Sequence, residues 1–199
     1  ARSPEQIYLN LVSQWQKPAA VVLGGHEPLT ALTDHTHLAA LPGALLGAIQ
    51  RMMYLDAVSY LPDDILVKVD RAAMAVSLES RTPLLDHRVA EFAWRLPLSM
   101  KIREGQGKWP LRQVLYRYVP VELIERPKMG FGVPVGAWLR GPLINWAEDL
   151  LDETRLREEG FFNPALIQRK WKEHLSGRRN WQHCLWNVLM FQEWLRKNR

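Results

Sequence analysis

The chain has 199 residues, with 26 Lys and Arg against 21 Asp and Glu, for a formal net charge of +5. Its 47% hydrophobic and 24% charged residues, with nine tryptophans, exclude a disordered or low-complexity chain. No apolar run approaches the roughly 20 residues a membrane span needs, and the longest, Leu38 to Ile49, is broken by Pro42, Gly43 and Gly47.

Helical periodicity dominates from the first residues. Ser3-Pro4 reads as an N-cap and first-turn proline, followed by Ile7, Leu11, Val12 and Trp15 on one stripe, up to Pro18. Residues 19–42 read as a loop holding Gly24-Gly25, Pro28 and three threonines. A helix over about 44–60 is apolar on more than one side and is expected to be central. Pro62 and Asp63-Asp64 restart a helix to about Val76. Pro83 stops any longer run, and Asp86 caps a helix that Pro97 closes. Gly105-Gln106-Gly107 reads as a turn, and residues 109–119 as a helix up to Pro120. A loop dense in Pro and Gly covers 126–136. A helix follows Pro142, then an acidic-basic stretch over 148–159. Asn163-Pro164 starts a helix ending near Gly177, and Asn180 starts the last one, rich in Trp and Leu, to about Lys197. No internal repeat and no βαβ unit is present. The expected fold is all-α, with eight or so helices.

Charge divides unevenly. Residues 1–100 hold 8 Lys and Arg against 10 Asp and Glu, and residues 101–199 hold 18 against 11. The basic half raises the question of a polyanionic partner, with solvated helix faces as the plain alternative. Cys184 is the sole cysteine, which excludes an internal disulfide and a multi-cysteine zinc site and fits a reducing, cytoplasmic setting. It is expected in the core, diverging from its neighbour His183. His35 and His37, two residues apart in a loop, make a poor metal site, and no metal ligand is assigned.

Two segments concentrate polar groups. In the first, Leu66, Val69 and Ala73 share a face expected to pack, while Lys68, Asp70 and Arg71 lie among apolar neighbours. Asp70 and Arg71 read equally as partnered charges in a half-buried helix. Glu79 and Arg81 follow in a short segment bounded by Pro83. A carboxylate held between two packed helices suits general acid/base work. In the second, Lys128 stands between prolines and glycines, beside Met129 and Phe131. There a lysine suits a phosphate or a developing oxyanion, or is an ordinary loop lysine. No complete phosphate-loop or dinucleotide signature occurs.

Four blocks in order, Leu61 to Arg71, Ser77 to Asp86, Lys108-Trp109-Pro110-Leu111-Arg112, and Arg126 to Phe131, closely resemble the glutamine-hydrolysing asparagine synthetases. The resemblance implies an ATP-dependent ligase. In that family the side-chain carboxylate of aspartate attacks the α-phosphate of ATP, giving a β-aspartyl adenylate and pyrophosphate. Ammonia released from glutamine in a separate domain then displaces AMP. By resemblance, Lys128 stabilises negative charge on the reacting phosphate and tetrahedral centre. Glu79 matches an acceptor-side carboxylate, whose equivalent in the related β-lactam synthetases belongs to a proton-abstracting dyad. Asp70, Arg71, Arg81 and Asp86 match positions expected to hold the site together. ATP and Mg²⁺ are the implied cofactors of the complete enzyme.

The family's Ser-Gly-Gly-x-Asp-Ser pyrophosphate loop, its Gly-Glu-Gly-x-Asp-Glu loop and its N-terminal cysteine glutaminase are not in this sequence. Residues 1–199 are therefore expected to be the helical C-terminal part of a synthetase domain related to adenine-nucleotide α-hydrolases. A parallel sheet and a glutaminase domain would lie upstream of Ala1, where neither Met nor a signal pattern is found. Alone, the chain is expected to bind no cofactor, to adenylate nothing, and to self-associate through uncovered apolar surface. Its expected partners are that upstream part, aspartate, ATP and ammonia, with no nucleic acid or membrane. Alternatives are an amidotransferase for another carboxylate, and a non-catalytic helical or nucleic-acid-binding module suggested by Arg178-Arg179 and the Trp-rich helices.

Overall fold

In the computed structural model, which describes residues 3–34, 36, 39, 47–127, 130 and 132–198, almost every element is helical, as the periodicity predicts. The chain divides into a terminal unit, residues 1–40 and 131–199, and a middle unit, residues 41–130. Helix α1 (Pro4–Val12) starts as expected, the Ser3 hydroxyl accepting from the Gln6 amide at 3.2 Å.

In the middle unit, α2 (Ala48–Val58) leads to a π-helical segment, Leu61–Leu66, with Pro62 in its first turn, and then directly to α3 (Val67–Met74). A proline lacking its N–H is tolerated where the ladder begins. Two expectations are corrected here. In α2 only Leu55 is buried, while Ile49 stays 47% exposed, so this helix is not a buried centre. In α3, Val69 is exposed, and so are Lys68, Asp70 and Arg71, which were expected among apolar neighbours. An apolar stripe is buried only when another element meets it, and in the described middle unit α2 and α3 meet chiefly the π-helical segment between them.

Next comes a short 3₁₀ turn, Pro83–Leu85, and α4 (His87–Arg95), with the Asp86 carboxylate accepting from the Arg88 amide at 2.9 Å. Helix α5 (Leu98–Lys101) runs into a hairpin of β1 (Ile102–Arg103) and β2 (Gln106–Gly107), registered Ile102 to Gly107 and Arg103 to Gln106. Gln106 and Gly107, expected in a turn, are therefore strand. The two left-handed residues of the turn are Glu104 and Gly105, at φ 51° and 78°. Helix α6 (Trp109–Leu115) is shorter than expected, and α7 (Val121–Ile124) follows Pro120.

In the terminal unit the helices are α8 (Val135–Leu139), α9 (Ile144–Leu150), α10 (Glu153–Glu159), α11 (Pro164–Leu175) and α12 (Gln182–Lys197). Asp152 and Asn163 cap α10 and α11 by accepting from the amides of Arg155 and Leu166. Gly160 ends α10 at φ 73°, a left-handed position that costs a side chain free energy. Leu139, Leu150, Leu156, Ile167, Leu185 and Leu189 are almost fully buried and form the heart of the core. The N-terminal residues join it: Val22 bridges Phe162, the Leu23 amide donates to the Phe161 carbonyl and the Asn163 amide to the Val21 carbonyl. Cys184 is buried, as expected, its thiol donating to the Gln14 carbonyl at 3.0 Å, and His183 beside it is exposed. None of the described helices is long and apolar enough to cross a membrane.

Candidate functional site

The residues singled out by sequence belong to the middle unit, apart from Lys128, which lies in that unit's sequence range but outside the described residues. His35 and His37 also lie outside them. Asp70 and Arg71 sit side by side on α3, both exposed, and neither makes an ion pair with a described residue.

How α3 ends decides where Glu79 goes. The Leu78 amide donates back to the Ala73 carbonyl and the Ser77 amide to Met74, both at 3.0 Å. Ser77 takes a left-handed φ of 57°. This pair of hydrogen bonds closes the helix and turns the chain sharply. Glu79 follows at once, and its carboxylate meets the Arg81 guanidinium at 2.8 Å, with both side chains largely exposed. Thus Glu79 and Arg81 are brought together. Asp86 is engaged elsewhere: besides capping α4, it accepts two hydrogen bonds from the Arg88 guanidinium, at 2.9 and 3.0 Å. Arg88 holds the Asp86 carboxyl below its ordinary range.

A cluster that sequence reasoning did not assemble stands ahead of Lys128 in the chain. The Arg112 guanidinium pairs with the Glu125 carboxylate and donates from Nε to the Gly107 carbonyl at 3.0 Å. The Tyr116 hydroxyl donates to the same carboxylate. Tyr116, with the Arg112 charge beside it, holds the Glu125 carboxyl below its ordinary range. One side chain thereby joins the hairpin, α6 and the end of α7. Arg112 and Tyr116 are four apart, so their shared face was legible. Their partner Glu125 lies beyond Pro120, where no periodicity carries over.

Among the described residues, no group of three or more His, Cys, Asp or Glu side chains is placed to hold a metal ion. The described residues thus supply no ready-made cage for the implied magnesium, and no step below runs through it.

A family model described as asparagine synthase matches residues 1–196. The chain belongs to the asparagine synthase family. A putative glutamine-hydrolysing asparagine synthetase of Mycobacterium tuberculosis is 37% identical over 174 residues, covering 87% of this chain and 26% of that protein. Glutamine-hydrolysing asparagine synthetase 1 of Bacillus subtilis is 28% identical over 173 residues, covering 87% of this chain and 27% of its own length. The Gallus gallus synthetase is 28% identical over 201 residues, covering 90% and 35%. The chain thus spans about a quarter to a third of these asparagine synthetases. No solved structure matches.

Proposed function

We propose that this chain is the helical C-terminal part of a glutamine-dependent asparagine synthetase that amidates aspartate through a β-aspartyl adenylate. The reading is carried by the asparagine synthase match across residues 1–196. It is supported by the four blocks, whose residues Glu79, Arg81 and Asp86 fall on one short stretch of the middle unit.

The chemistry assigns roles to few side chains. A carboxylate is a poor electrophile, so one of its oxygens first bonds to the α-phosphorus of ATP as pyrophosphate departs. During that displacement negative charge grows on the phosphoryl oxygens, and Lys128 is the cation assigned to it. Ammonia next attacks the acyl carbon and AMP leaves with the bonding electrons. Glu79 is the carboxylate assigned to take the proton the ammonia nitrogen sheds. Arg81, ion-paired with Glu79, orients it, while Asp86 fixes the start of α4. Asp70 and Arg71 are site-supporting groups on α3. The glutaminase and the parallel sheet with the pyrophosphate loop are assigned to the upstream part of the same cytoplasmic enzyme, with ATP and Mg²⁺ bound there. The 199 residues alone are proposed to be inactive and to associate through their apolar surface.

The test is a protein extended upstream, assayed with ATP, Mg²⁺, ammonia and a series of carboxylates for AMP and pyrophosphate. Aspartate is expected to be the acceptor that yields both. Turnover with another carboxylate and not aspartate would reassign the substrate. Pyrophosphate release by the 199-residue chain alone would overturn its inactivity.

A further inference from the structure

The terminal unit contains a cleft of about 490 Å³ between the segment that follows α1 and the sides of α11 and α12. Its size falls in the range of small-molecule sites, roughly 300–1,000 Å³. Its walls are mainly apolar, with Trp15, Val21, Leu166 and Trp181 as the large surfaces and Cys184 in the lining. Its charged groups are all cationic: Lys17, Arg169 and Lys170. None of the three is ion-paired with a described residue.

Lys170 is held most firmly. Its ammonium lies 3.1 Å from the centre of the Trp181 ring and 5.2 Å from that of Trp15. The acid whose charge reaches it, Glu173, is already bonded, accepting from the Trp181 indole N–H at 2.6 Å. Burial pushes the Lys170 ammonium below its ordinary range, with Arg169 and Arg179 adding repulsion. A half-buried ammonium facing aromatic rings, among like charges and with its acidic neighbour Glu173 already bonded to Trp181, is incompletely compensated. An anion entering the cleft would complete it, and the apolar walls favour one with an apolar body.

We propose that this cleft binds a small organic anion, a carboxylate or phosphate monoester on an apolar ring or chain, with its charge on Lys170 and its body against Trp15 and Leu166. The cleft shares no residue with those assigned to the adenylating chemistry. The walls are braced from behind: Trp15 and Trp181 both pack on the core cluster, and the Cys184 thiol donates to the Gln14 carbonyl.

The experiment titrates benzoate and phenyl phosphate into the 199-residue chain, following the indole N–H resonances, with benzyl alcohol and inorganic phosphate as controls. At least one aromatic anion is expected to bind saturably, and each control about tenfold more weakly or worse. Benzoate alone binding would mark a carboxylate site, and phenyl phosphate alone a phosphate site. Lys170→Met is expected to lower affinity about tenfold, and Lys172→Met, an exposed lysine on the same helix, less than about twofold. Should Lys170→Met fail to fold, the unsubstituted chain still decides, because Cys184 is its only thiol. Bound anion is expected to slow alkylation of Cys184 by N-ethylmaleimide several-fold. Benzoate and phenyl phosphate binding no better than benzyl alcohol, or no protection of Cys184, would overturn the proposal. So would a single-stranded oligonucleotide that displaces the anion with a steep salt dependence, which would assign the cations to nucleic acid.

Discussion

The Arg112 guanidinium is ion-paired with the Glu125 carboxylate, and this one contact fastens α6 to the residue that caps the end of α7. The pair does not act alone, since Tyr116 donates to the same carboxylate and Arg112 also donates to Gly107. Loops hold a reacting group in place only as well as their ends are anchored. Replacing Glu125 by Ala leaves Arg112 and Tyr116 without their shared acceptor. Amide hydrogen exchange over residues 120–127 is expected to quicken severalfold, with α12 unaffected. Unchanged exchange in the variant would show that the anchor lies elsewhere.

Lys128 and Glu79 carry the proposed chemistry, so their loss should be felt in different steps. In the protein extended upstream, Lys128→Ala is expected to lower aspartate-dependent pyrophosphate formation by about 10²–10³-fold. Glu79→Gln should lower amide formation by about 10²-fold or more while leaving adenylation, read by pyrophosphate exchange, much less affected. Full activity in either variant would remove the role assigned to it.

Burial differs sharply between the two units, and stability should follow it. Leu185 in α12 is fully buried, and Leu185→Ala is expected to cost about 2–5 kcal/mol in urea unfolding. Leu84 is 58% exposed, and at concentrations low enough to keep the chain monomeric Leu84→Ala should change stability by less than about 0.5 kcal/mol. Equal losses at both positions would mean that Leu84 is covered in solution.

Uncovered apolar side chains should also drive association. Leu78, Leu84 and Phe92 expose 62%, 58% and 63% of their surfaces. Sedimentation of the 199-residue chain is expected to show concentration-dependent oligomers, shifted toward monomer by Phe92→Lys. A monodisperse monomer at millimolar concentration would count against this.

His174 gives the terminal unit a pH dependence of definite sign. The imidazole is fully buried, and its Nδ1 accepts from the Trp181 amide at 3.2 Å and faces the Arg140 guanidinium at 3.3 Å. Burial first, then the Arg140 charge, hold its pKa below the ordinary 6.5, against a smaller opposing effect of the Gly136 carbonyl. In the unfolded chain the ring takes up its proton near pH 6.5, and in the folded unit only at lower pH. The stability is therefore whole above about pH 6.5 and declines below it. The urea midpoint should fall between about pH 7 and pH 5, and His174→Gln should flatten that slope. A slope unchanged by the substitution would assign it to other groups.

Local signals proved the most readable. Ser3, Asp86 and Asn163 each accept from an amide two or three residues on, as a short polar side chain at a helix start must when the first amides lack helical partners. Prolines marked the breaks for the same reason. The turn expected over Gly105-Gln106-Gly107 is instead centred on the left-handed pair Glu104-Gly105, because Gly107 offers an equally good glycine and only strand pairing distinguishes them. At the candidate site, Glu79 and Arg81 were legible as neighbours in a constrained segment. The left-handed Ser77 that turns the chain before them carries no sequence mark, since glycine or asparagine usually takes that place.

By itself the sequence determined that this chain is helical, that its single thiol lies in the core, and that four ordered blocks mark it as an asparagine synthase relative. The first two follow from spacing and side-chain chemistry within a few turns of helix, and the third from the resemblance of those blocks. Only the tertiary structure decided which apolar stripes are covered, and that Trp15, Lys170 and Trp181 converge on one cleft. It alone also placed Glu125 on Arg112. A periodicity states which face of a helix is apolar, but what meets that face depends on residues far away in the chain.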